Sequence, residues 1–177
     1  MRAPKILIAG IGNIFLGDDG FGCVVAGRLA RRPMPDGARV IDFGVRGFDL
    51  AYALMDGYDA AIIIDATQRG GAPGALYLIE PDLPDLPDLN EPNESSAQAM
   101  AVEAHAMNPM RALVFAKSMN GELKRILLVG CEPATFGPEE GQMGLSETVE
   151  AAVSEAVEMV ESLVAEIQGE QWTVGSG

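Results

Sequence analysis

The segment GIGNIFLGDDGFG, Gly10 to Gly22, carries two adjacent acids, Asp18 and Asp19, in a glycine-rich turn. A third acid, Asp65, tips the apolar run AIIID, and the chain's single histidine, His105, stands in EAHAMNPM. A charge at the end of an otherwise apolar strand is costly unless it is paired or metal-bound. Asp19, Asp65 and His105 would give one ion two oxygens and a nitrogen and leave positions open for water or substrate, a donor set of catalytic or sensory type. Each residue also has a plainer use: Asp19 as a helix N-cap, Asp65 as a strand-end turn residue, His105 as a surface loop residue. No HExxH or clustered His and Cys signature chooses between these uses.

Two other chemistries compete for the same residues. Gly10 and Gly12 begin a GxGxxG pattern, and Asp42 would imitate the acid that binds a ribose, so a nucleotide-binding α/β module using the Gly10–Gly12 loop is the alternative. Against it, the sixth position is Phe15, and Asp18 and Asp19 would meet a pyrophosphate with negative charge. Cys131, after RILLVG, would serve with His105 as a thiol nucleophile, or simply as a partly buried cysteine near a strand end. The chain has no GxSxG elbow, and no ligand set for haem, flavin or an iron–sulfur cluster stands out.

These residues need elements to hold them. Short apolar runs predict strands over Lys5 to Ala9, Arg39 to Phe43, Ala60 to Asp65, Ala75 to Ile79 and Arg125 to Gly130. GCVVAGRLARR reads as a helix between the first two, and GFDLAYALM as a second before the third strand. Strand–helix–strand alternation predicts right-handed crossovers and an α/β three-layer sandwich, a twisted sheet of about five mostly parallel strands flanked by helices. The glycine loop and Asp65 then share the carboxyl edge of the sheet, where ligand sites gather in such folds.

PDLPDLPDLNEPNESSAQ, residues 81–98, is too rich in Pro, Asp and Asn for helix or ladder and reads as a long surface loop. Asn108 and Pro109 suit the cap and first position of a helix running to about Met119, with Gly121 ending it. Ser146 is the expected N-cap of the last helix. There Val149, Val153, Ala156, Val160, Leu163 and Ile167 form one apolar stripe at alternating steps of four and three. After Gly169 the period stops, so a single domain over 1–169 and a frayed tail over 170–177 are expected.

With 26 acidic against 12 basic residues the net charge is −14, which repels nucleic acid and anionic membranes alike. No apolar run reaches the length of a membrane span, and the N-terminal residues lead into a strand without signal-peptide anatomy. The expectation is a cytoplasmic protein with no nucleic-acid partner and no membrane insertion. Cys23 and Cys131 lie far apart and are expected as reduced thiols.

GIGNIFLGDDGFG resembles the opening signature of the hydrogenase maturation endopeptidases. VIDFGVRGFDLAYAL, AIIIDA, EAHAMNPMRALVFA, VGCEPATFG and GLSETV resemble further segments of that family in the same order, over most of Lys5 to Ile167. The resemblance implies a protease that removes the C-terminal extension of a nickel-loaded precursor of the nickel-iron hydrogenase large subunit. It implies that Asp19, Asp65 and His105 read nickel brought by the substrate, at a site other divalent metals also fit. The first acid is often Glu in this family, so Asp19 is one methylene shorter, and Asp18 is a second candidate. Asp42 matches a cleft-forming segment and is a candidate base, the other route being a metal-activated water.

Overall fold

The computed structural model describes residues 2–82, 109–119 and 124–174. Five strands, β1 (Ile6–Ile11), β2 (Ala38–Gly44), β3 (Ala60–Ala66), β4 (Leu76–Ile79) and β5 (Arg125–Cys131), form one sheet in the order β2-β1-β3-β5-β4. Among the described residues four helices flank it: α1 (Phe21–Leu29), α2 (Gly47–Leu54), α3 (Pro109–Ser118) and α4 (Glu147–Val174). β2, β1, β3 and β5 run parallel. β4 pairs antiparallel with β5 at the edge, because the short connection from β3 returns the chain beside β5 rather than crossing a face.

The sheet is buried on both sides, as its near-continuous apolar strands require. Ile6, Ile8, Ile62, Ile64, Leu127 and Val129 meet α1 and α4 on one face. Leu7, Ala9, Ile11, Ala61, Ile63 and Ile126 meet α2 and α3 on the other. Alternate residues of one strand thus feed two cores, which completes the three-layer sandwich. All six residues of the apolar stripe in α4 are buried in the first core. At about 1.5–3 kcal/mol per large aliphatic, this stripe contributes on the order of 10 kcal/mol before chain entropy.

Ser146 caps α4 as the sequence predicts, its hydroxyl oxygen accepting from the Val149 N–H at 3.4 Å. The helix itself runs on past Gly169, where the apolar period of the sequence stops, to Val174. A single glycine costs a helix about 1 kcal/mol, less than is needed to stop one already docked along its length. The 81–98 loop lies mostly, and Asn108 and Gly121 wholly, outside the described residues; Pro109 opens α3 as expected.

Register decides where the site lies. Gly10 sits beside Asp42 of β2 and beside Ile64 of β3, and Asp65 follows Ile64 directly. The carboxyl ends of β2, β1 and β3 therefore bring Asp42, the Gly12–Gly20 turn and Asp65 to one edge.

Candidate active site

Between β1 and α1 the chain turns back over the sheet edge. Gly12 adopts φ 135°, open to glycine, and a Cβ there would strike the Asp19 carbonyl oxygen. Gly22 lies where a Cβ would strike the carbonyl oxygens of Ile64 and Ile11, so α1 starts hard against the ends of β1 and β3. Gly10, where a Cβ would strike the Gly22 carbonyl oxygen, and Gly12, the two glycines that suggested a phosphate loop, thus serve close packing of chain on chain.

A 3-10 turn over Gly17–Gly20 carries Asp18 and Asp19 into α1. Asp19 is not the helix cap: Gly20 holds that position, with no side-chain cap bond. The Asp19 carboxylate accepts instead from the Asn13 N–H at 2.9 Å. Burial pushes its pKa up, and that hydrogen bond offsets part of the rise. At Asp65, loss of water raises the pKa well above the ordinary carboxylate value; the Asp19 charge raises it further, and the Ala66 N–H works against both. The two carboxyls therefore lie near enough at this edge for the charge of one to act on the other.

Neither carboxylate belongs to an ion pair among the described residues. Such a pair has two chemical outlets, to share a proton or to hold a cation. Among the described residues no third His, Cys, Asp or Glu joins them in a metal-holding cluster. His105, the third donor read from the sequence, lies outside the described residues.

Asp18 has a different task from the one the resemblance offered it as a second candidate for Asp19. It is fully buried and accepts from the N–H groups of Ser146 at 2.7 Å, Ala134 at 2.8 Å and Thr135 at 3.1 Å, and from the Ser146 hydroxyl at 2.9 Å. Burial raises its pKa, but these donors outweigh it and hold the carboxyl below its usual value. Its lone pairs are committed to the loop after β5 and the start of α4. Nothing in GDDG separates the two acids by local chemistry, since the donors come from residues more than a hundred positions away.

Asp42, two residues before the end of β2, is exposed, with Oδ1 accepting from the Gly44 N–H at 2.9 Å. Sequence reasoning overlooked the buried residue beside it. Cys23, on the first turn of α1, reaches the Gly12 carbonyl at 3.5 Å. Burial first, then a hydrogen bond to Asp42 and the charges of Asp42 and Asp19, push its thiol up to about 12. Cys23 is thus a neutral thiol packed beneath both acids, and its place beside the acid loop in GFGC was the available signal.

Cys131 is fully buried at the end of β5, with its thiol pushed up to about 11 by burial and by the charges of Asp18 and Glu132. A buried thiol this basic has little of the thiolate that nucleophilic attack needs. Both cysteines are free, as expected. Next to Cys131, Glu132 accepts from the N–H groups of Arg69 and Gly70 and from the Tyr77 hydroxyl, tying β5 to the turn before β4.

With an acid pair at the carboxyl edge of a mixed five-stranded sheet in place, the comparisons with known proteins converge. A family model, HycI: hydrogenase maturation protease, matches residues 23–163. The hydrogenase 2 maturation protease of Escherichia coli is 30% identical over 163 residues, covering 88% of each chain. The solved hydrogenase 2 maturation peptidase of Thaumarchaeota archaeon SCGC_AB-539-E09 is 32% identical, with a TM-score of 0.67 over 91% of this chain and 98% of that one. A nickel-iron hydrogenase maturation protease from Thermococcus kodakarensis is 27% identical, with a TM-score of 0.60 over 94% of each chain. The chain belongs to the hydrogenase maturation protease family and is an endopeptidase of hydrogenase maturation, a peptide-bond hydrolase. No helix of the described residues is long and apolar enough to cross a membrane.

Proposed function

We propose that this endopeptidase trims the C-terminal extension from the nickel-loaded precursor of a nickel-iron hydrogenase large subunit, with nickel in the substrate as the signal. The observation that carries this reading is the acid pair: Asp65 is strained by burial and by the Asp19 charge, and a cation brought to the edge would relieve both. The nickel-iron name of the Thermococcus kodakarensis protein adds support for the metal. In this reading Asp19 and Asp65 give oxygen donors and His105 a nitrogen, and open positions stay with the substrate's nickel, which orients the scissile peptide. Other divalent metals fit the same donors. Asp42, exposed near the carboxyl end of the adjacent strand, serves as base if attack is by free water rather than a metal-bound one.

Intact-mass analysis of the precursor tests the reading. Incubation with this protein should remove a short C-terminal peptide from nickel-loaded precursor and leave the nickel-free form whole. Equal trimming of both forms would remove nickel as the signal. The His105→Ala variant should process at least about tenfold more slowly, and wild-type speed in that variant would take His105 out of the site.

A further inference from the structure

Two loops meet beside the acid pair and carry large apolar side chains into solvent. Phe15 is 58% exposed and Met143 68%, with Leu16 and Phe136 also exposed. The loops are held together by backbone pairing. The Gly17 N–H donates to the Gln142 carbonyl, and the Gln142 N–H to the Phe15 carbonyl, both at 2.8 Å. The Asp18 N–H donates to the Thr135 carbonyl at 3.0 Å, and the buried Asp18 carboxylate accepts from Ala134 and Thr135. A fully buried carboxylate is thereby committed to fixing loops whose apolar side chains face water. Clustered exposed apolar groups rimmed by charge mark interaction sites, and a rigid patch loses little entropy on binding.

Resting on the function proposed above, we infer that this patch docks the precursor and takes an apolar segment of it flanked by basic residues, next to the bond to be cut. Proximity gives the first reason. The Asp19 N–H donates to the Leu16 carbonyl at 3.1 Å, so the patch and the acid pair share one turn. Charge gives the second. Exposed Glu139 and Glu140 lie in the same loop as Phe136 and Met143, and neither joins an ion pair among the described residues. An apolar surface with an acidic rim complements an apolar segment between Lys or Arg residues. A second copy of this chain suits it poorly, because a two-fold contact through the patch would set acidic rim against acidic rim.

The test uses the full chain and nickel-loaded precursor, with processing rates read by intact mass. The double variant F15S/M143S should raise KM at least about tenfold and leave kcat within about twofold, with an unchanged melting temperature because both side chains are exposed. E139K/E140K should also raise KM and weaken the rise of KM with ionic strength seen in the wild type. If the wild type trims the precursor and KM is unchanged in both variants, the docking surface is wrong and the proposed function stands. If the wild type leaves nickel-loaded precursor whole, the functional reading itself fails and the inference falls with it. A dimeric wild type that F15S/M143S converts to monomer in gel filtration would assign the patch to self-association and overturn the inference.

Discussion

Asp65, half-buried at the end of β3, and the fully buried Asp18 lie near one turn, and their pKa values move in opposite directions. Asp65 lacks donors sufficient to offset the lost water and the Asp19 charge, so its pKa is raised. A raised acid contributes stability that is present below the unfolded pKa near 3.8 and lost as pH climbs through the folded value. At neutral pH the metal-free protein therefore carries a cost at this position. Asp65→Asn should raise the melting temperature at pH 7, with the gain fading toward pH 3 as the wild-type carboxyl protonates in both states. Each kcal/mol recovered corresponds to about 2–4 °C in a chain of this size. A melting temperature unchanged at pH 7 and pH 3 alike would mean that Asp65 is not strained. Asp18 shows the opposite sign. Its lowered pKa gives stability present above the unfolded value and lost as acid protonates it.

Among the elements, the contact of α1 with the strand ends does most to shape the site. Gly22 lets the helix backbone approach the Ile64 and Ile11 carbonyls, and the same approach fixes the turn that carries Asp19 toward Asp65. Gly22→Ala should lower stability by about 3 kcal/mol, read as a shift of the urea midpoint, because backbone rather than a flexible side chain must move. A midpoint within experimental scatter of wild type would show that α1 has slack at this end. The six-residue stripe of α4 secures the opposite side of the same helix layer; at the surface the pair Arg28–Glu150 bridges α1 to α4, and Arg32–Glu161 joins the segment after α1 to α4. Exposed pairs of this kind add little, so the apolar seam carries the docking.

Across the whole molecule the excess of acid over base is the dominant electrostatic fact. A net charge of −14 on 177 residues opposes compaction through self-repulsion. Raising salt from about 0.02 to 0.2 M shortens the Debye length to below about 10 Å. It should raise the melting temperature in the absence of precursor, even though it also weakens the surface ion pairs. A melting temperature that falls over this range would mean that the ion pairs outweigh the repulsion.

Local periodicity and composition were enough to read the five strands to within one or two residues, the apolar stripe of α4, its Ser146 cap and the placement of the glycine loop and Asp65 at the carboxyl edge. These features depend on neighbours a few positions away, and a sequence prints those directly. The motifs taken in order also carried the family. The tertiary structure decided what depends on distant partners: the antiparallel edge strand β4, the continuation of α4 to Val174, and the separation of Asp18 from Asp19. In GDDG the two acids are chemically identical, and the N–H groups of Ala134, Thr135 and Ser146 bind one carboxylate while the turn directs the other toward Asp65. The same holds for Cys23, whose burial beneath Asp42 and Asp19 follows from helix packing across strands. A side chain's role is fixed by the donors, charges and water around it, and here chain segments far apart in sequence supply them.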